Sequence, residues 1–123
     1  MRLFGTDGIR GEVGKYPLTI ESISKLAKAS SLVLKKKNSI SRVVINKDTR
    51  LSNYMFEPAL ASGFISMGID VILVGPLPTP ALTILSKSLR ADFSVMITAS
   101  HNPYSDNGLK FFSNNGFKIT QEE

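Results

Sequence analysis

The chain alternates between two hydrophobic periods. From Thr19 onward Ile20, Ile23, Leu26, Ala27, Ser30, Val33 and Leu34 recur at spacings of three and four. That spacing puts them on one face of an amphipathic helix. Thr19 suits its N-cap, Glu21 its first turn, and Lys35-Lys36-Lys37 with Asn38 its end. The run Arg42-Val43-Val44-Ile45-Asn46 is β-branched and predicts a buried strand. A second helical stretch, capped at Ser52 or Asn53, ends near Gly68. Pro58 lies past its first turn, where the missing N–H predicts a kink or a late start.

Asp70-Val71-Ile72-Leu73-Val74 predicts the next strand, ended by Gly75-Pro76-Leu77-Pro78-Thr79-Pro80. Ala81 to Leu89 predicts a short helix, and Phe93 to Ile97 a further strand. Lys110-Phe111-Phe112 and Gly116-Phe117-Lys118-Ile119 predict a strand pair around the turn Ser113-Asn114-Asn115. Short apolar strands alternating with helices predict a three-layer α/β/α fold, with a mostly parallel sheet covered by helices on both faces. Such sheets take their ligands at the carboxyl ends of the strands. The loops expected along that edge carry Asp48-Thr49-Arg50, Leu77-Pro78-Thr79-Pro80 and Ser100-His101-Asn102.

Composition narrows the partners. A chain of 123 residues makes one domain with a real core, not two. Fifteen basic against ten acidic residues give a formal net charge of +5, which permits an anionic partner and selects none. The lysine triplet reads as a solvated helix end, and no basic module with interleaved aromatics is present, so nucleic acid is not an expected partner. The absence of cysteine excludes disulfides and thiolate metal sites and fits a cytoplasmic protein. No signal peptide and no apolar stretch of transmembrane length is visible, so no membrane partner is expected.

The chemistry concentrates in Thr98-Ala99-Ser100-His101-Asn102-Pro103, directly after a strand. A serine there serves either as a turn or cap residue or as a nucleophile. No Gly-x-Ser-x-Gly elbow surrounds it, and side chains on adjacent positions normally diverge, so His101 is poorly placed as a base for Ser100. Phosphoryl transfer fits better, with donors from His101, Asn102 and backbone N–H groups around a serine phosphate. The turn Asp106-Asn107-Gly108 can fold the chain back, so that a strand from Leu109 carries Lys110 toward the serine. Taken alone, Lys110 reads first as a lysine snorkelling at a strand end. Near the N-terminus, Phe4-Gly5-Thr6-Asp7-Gly8-Ile9-Arg10-Gly11 offers close backbone approach and a bidentate phosphate donor in Arg10, or a plain structural turn.

Taken together, Phe-Gly-Thr-Asp-Gly-Ile-Arg-Gly at 4–11, Lys-Asp-Thr-Arg at 47–50, Gly-Pro-Leu-Pro-Thr-Pro at 75–80 and Thr-Ala-Ser-His-Asn-Pro-Tyr-x-Asp-Asn-Gly-Leu-Lys-Phe-Phe at 98–112 resemble the α-D-phosphohexomutase superfamily. The N-terminal octet tilts the likeness toward the branch that acts on glucosamine phosphate, with the mannose and glucose phosphate branches as rivals. The resemblance implies that Ser100 is a phosphoserine that gives its phosphate to a phosphosugar and takes the other one back after the bisphosphate reorients. It implies that Lys110 and Arg10 handle the hydroxyl proton and the transferred charge. His101, Asn102 and Thr6 would position phosphate or substrate. It implies Mg²⁺, held by the Ser100 phosphate and by aspartates of a later domain.

Family members have four domains, and the Asp-Gly-Asp-x-Asp-Arg metal loop is absent from this sequence. Residues 1–123 are therefore expected to be the first domain, cut near its C-terminal end, where Thr120 and two glutamates resemble a helix-opening signal. The resemblance implies that the rest of the mutase is its partner and that this stretch alone does not turn over. A non-catalytic interaction module is the competing reading.

Overall fold

The structure is a computed structural model and describes residues 9–38, 42–99 and 102–113. Eight elements follow in order: β1 (Ile9–Glu12), α1 (Ile20–Asn38), β2 (Arg42–Lys47), α2 (Asn53–Ser66), β3 (Asp70–Leu73), α3 (Thr79–Ser88), β4 (Phe93–Ile97) and β5 (Asp106–Ser113). The strands form one sheet in the order β1-β5-β4-β2-β3. β2 pairs in parallel with β3 and β4, whereas β5 runs antiparallel to both β4 and β1. The sheet is therefore mixed, and the expectation of a mostly parallel one does not hold. The physical reason is the short return after β4. Residues 98–105 are too few for a helical crossover, so the next strand comes back antiparallel.

Alternate strand residues build two cores. Val43, Ile45, Phe93, Val95, Ile97, Leu109 and Phe111 face α1 and α2, and Val44 faces α3 with Leu82 and Ala91. Helices thus cover both faces, as the apolar runs implied. Phe64 of α2 meets Phe93 edge-on at 5.4 Å between ring centroids, and Phe93 stacks with Phe111 at 6.3 Å. These contacts anchor α2 over the centre of the sheet.

The helix ends follow their local chemistry. Thr19 caps α1 as expected, its Oγ1 accepting from Ser22 N–H at 3.2 Å. α2 begins at Asn53 and runs through Pro58 without a delayed start, so that part of the Pro58 expectation is corrected. Ser52 is its N-cap residue but makes no side-chain cap, because its hydroxyl accepts from Asn107 Nδ2 at 2.7 Å instead. α3 starts at Thr79, two residues earlier than predicted, since Pro80 falls in the first turn, where no N–H donor is needed.

Two further expectations change. Asp106-Asn107-Gly108 is not a turn but the first part of β5; the chain turns earlier, where Asp106 N–H reaches Pro103 O at 2.9 Å. Part of the glycine-rich N-terminal segment, Ile9–Glu12, is an edge strand rather than a loop. The strand expected at 116–119 lies outside the described residues. Among the described residues no helix is long and apolar enough to cross a membrane.

α1 and α2 pack closely at Gly63. A Cβ there would lie 2.6 Å from Ala27 Cβ and 2.9 Å from Ser24 O. Gly63→Ala is expected to force the helices apart and cost about 1–3 kcal/mol, seen as a lower midpoint in thermal denaturation.

Candidate functional site

The parallel strands β2, β3 and β4 deliver their following loops to one edge, as anticipated. Each loop is tied down by a side chain from a strand end or a neighbouring loop. Asn46 clamps the loop after β3, donating Nδ2 to Leu77 O at 2.8 Å and accepting from Leu77 N–H at 3.2 Å. Lys47 turns the other way and pairs with the buried Glu57 of α2 at 2.8 Å.

Asp48 organises the loop after β2. Its carboxylate accepts from Arg50 N–H at 3.1 Å, from Asn53 Nδ2 at 2.9 Å, from Thr98 Oγ1 at 2.7 Å and from the Arg50 guanidinium. Burial alone would raise the Asp48 pKa. The hydrogen bonds from Thr98, Arg50 N–H and Asn53, with the charge of Arg50, outweigh it and hold the carboxyl below its ordinary 3.8.

Arg50 is only 5% exposed. Its Nη1 also reaches Thr98 Oγ1 at 3.4 Å, its Nη2 donates to Asn102 O at 2.7 Å, and the Tyr104 ring lies 5.3 Å from its guanidinium carbon. Buried Asn107 extends the network by donating Nδ2 to Asn53 Oδ1 at 2.8 Å and to Ser52.

Arg10 and Lys110 arrive from the other side of β4. Arg10 is opposite Gly108 and Lys110 opposite Met96, while Ile9, Leu109 and Phe111 point into the α1/α2 core. Strand alternation therefore puts Arg10 and Lys110 on the same face of the sheet, the one that α3 partly covers. Arg10 crosses directly over Gly108. A Cβ on Gly108 would lie 2.2 Å from Ile9 O, 3.0 Å from Thr98 O and 3.1 Å from Arg10 Cγ. From there Arg10 Nη1 reaches Asn102 Oδ1 at 3.4 Å, and Asn102 Nδ2 donates to Asp106 Oδ2 at 3.1 Å.

Of the residues singled out from sequence, the structure thus brings Arg10 and Asn102 into contact and sets Lys110 on the same sheet face as Arg10. Ser100, His101 and Thr6 lie outside the described residues. What sequence reasoning did not foresee is that Asp48, Arg50, Asn53, Thr98 and Asn107 join in one hydrogen-bonded lattice. Its one visible signal was Asp-Thr-Arg placed immediately after an apolar strand. Mg²⁺ finds no fit among the described residues. No three of His, Cys, Asp and Glu gather there, and the Asp48 oxygens are already committed to protein donors.

The fold and this edge define an α/β domain in which Arg10, Asp48 and Arg50 tie down the ends of the loop after its central strand. The chain belongs to the phosphoglucomutase/phosphomannomutase family, whose α/β/α domain I matches residues 1–123. It is 54% identical to a phosphoglucosamine mutase of Rhodospirillum rubrum over 98% of its length and 27% of that protein's. It is 56% identical to one of Rhodospirillum centenum, again over 98% of this chain and 26% of the relative. A crystal structure from Thermus thermophilus, described as a phosphomannomutase, superposes with a TM-score of 0.86 at 37% identity, covering 98% of this chain and 28% of that one. The chain spans about a quarter of the length of the curated relatives it matches.

Two outcomes follow from this geometry. Gly108→Ala is expected to push Arg10 away from Asn102 and destabilise the protein by about 1–3 kcal/mol, with loss of hydrogen-exchange protection in β1. The Asp48 contribution works in the opposite sense to a raised pKa. It is fully present above the unfolded carboxylate value and is lost as pH falls through the lowered folded one. Asp48→Asn is accordingly expected to lower the denaturant midpoint at neutral pH, with the gap to wild type closing below pH 3.8.

Proposed function

We propose that this chain is the phosphoserine-bearing first domain of a phosphoglucosamine mutase, which interconverts glucosamine 6-phosphate and glucosamine 1-phosphate. The single observation behind the reading is Arg10 crossing Gly108 to meet Asn102, beside the sequence position of Ser100. It joins the N-terminal octet to the serine motif, and relatives named phosphoglucosamine mutase match nearly the whole chain.

In this reading the phosphoryl group passes from Ser100 Oγ to a hydroxyl of the phosphosugar. The P–Oγ bond breaks as the new P–O bond forms, the hydroxyl proton leaves to Lys110 acting as base, and the departing Ser100 Oγ takes up a proton and leaves as the serine hydroxyl. The bisphosphate then reorients and returns its other phosphate to Ser100, with proton transfer reversed. Arg10 balances charge on the equatorial oxygens through its fixed fork of donors. His101, Thr6 and the amide of Asn102 orient phosphate. Mg²⁺ supplies charge neutralisation in such transfers. This chain would contribute one ligand to it, the phosphate on Ser100, the others belonging to the remainder of the protein. The reaction serves amino-sugar and UDP-N-acetylglucosamine synthesis in the cytoplasm. The domain is read as residues 1–123, with the remaining mutase domains as its partners and no catalysis by the stretch alone.

The test is a coupled assay on the complete protein with glucosamine, mannose and glucose 6-phosphates, together with phosphopeptide mass spectrometry. Phosphate is expected on Ser100, glucosamine 6-phosphate is expected to be the best substrate, and Ser100→Ala is expected to lower turnover at least about 10³-fold. A Ser100→Ala protein with wild-type turnover would rule the reading out; preference for mannose or glucose phosphate would move it to a sister activity.

A further inference from the structure

The mechanism above makes no use of Arg50, yet it is the only buried cation among the described residues. A guanidinium that merely steadied one turn would need one acceptor. This one divides its two terminal nitrogens. Nη1 serves Asp48 and Thr98 Oγ1, and Nη2 serves Asn102 O. Thr98 and Asn102 stand on either side of Ser100-His101 in the sequence. Both flanks are also fixed through their backbone, Thr98 N–H to Gly108 O at 2.9 Å and Asn102 N–H to Ala99 O at 3.0 Å.

We infer that Arg50 is a positioning residue for phosphoryl transfer: braced by Asp48, it sets the separation of Thr98 and Asn102, and so the reach of Ser100, without touching substrate. The inference rests on Ser100 being the phosphate carrier. A planar fork with two separated donors can span two acceptors in this way, and a lysine ammonium on a flexible stem cannot. Thr98 takes part from the other side, accepting from Arg50 while donating to Asp48. Transfer is sensitive to such spacing, since a misplacement of about 1 Å costs on the order of 10²-fold in rate.

The experiment uses the complete protein, loaded with labelled phosphate from a sugar 1,6-bisphosphate and mixed with glucosamine 6-phosphate in rapid quench. Rates are expressed per mole of phosphoserine, so that unfolded protein does not count. Arg50→Ala is expected to lose about 10²-fold in kcat and in single-turnover rate, with KM within about threefold of wild type. Arg50→Lys is expected to restore the thermal midpoint but only part of the rate, and Thr98→Val to lose less in the same direction.

A wild-type rate per phosphoserine in Arg50→Ala, or a raised KM at unchanged kcat, overturns the inference. Should Arg50→Ala not fold, wild-type rates in both Arg50→Lys and Thr98→Val overturn it equally. Failure of the wild-type protein to carry phosphate on Ser100 sinks the functional reading and this inference with it. A phosphorylated wild type with indifferent Arg50 variants sinks the inference alone.

Discussion

A guanidinium taken out of water must find acceptors in several directions at once, and at Arg50 that requirement shapes the carboxyl edge of the sheet. Leaving such a charge unpaired would cost several kcal/mol, on the order of 3–5. The acceptors come from two loops: Asp48 after β2, and Thr98 with the Asn102 carbonyl after β4. Satisfying one buried cation therefore draws two loops together and fixes their relative height. Asn53 and Asn107 extend the same logic to the start of α2 and to β5. The edge is a polar core in miniature, and its members hold one another in place.

The second organising fact is the direction of β5. It returns antiparallel beside β4, lies between β4 and β1 and shares hydrogen bonds with both. One strand thereby carries Lys110 on its own face and gives Arg10 a smooth path across Gly108. Residues far apart in sequence come to one surface through backbone register alone, before any side chain chooses a partner. The opposite face of the same strand, with Leu109 and Phe111, is spent on the apolar core.

Much of this was legible in the residues. The two long helices, the three parallel strands and the sharing of one edge by their loops follow from apolar period and from Gly and Pro punctuation. The return of the chain before Lys110 was legible, but its place was not, because Asp-Asn-Gly is a strong turn signal taken alone. Tertiary pairing overrides it: Asn107 is consumed by Ser52, Asn53 and its own following N–H, and Gly108 is needed flat between two strands. Ser52 illustrates the same competition, since its hydroxyl is drawn from capping duty to Asn107. Arg10 and Asn102 could be singled out as polar candidates, but their contact spans 92 positions and has no local signature. Arg50 could be placed on the ligand edge beside Asp48, but its burial has no local signature and shows only in the packed structure.

The double pairing of β5 also constrains how the gene can change. Side chains on a strand alternate faces, so one codon inserted between the positions of Gly108 and Lys110 either sends the lysine into the apolar core or displaces Gly108 from beneath Arg10. The stretch behaves as a ruler with fixed graduations. Point changes along it can accumulate, but its length cannot drift by a single residue without separating the arginine and the lysine it brings to one surface.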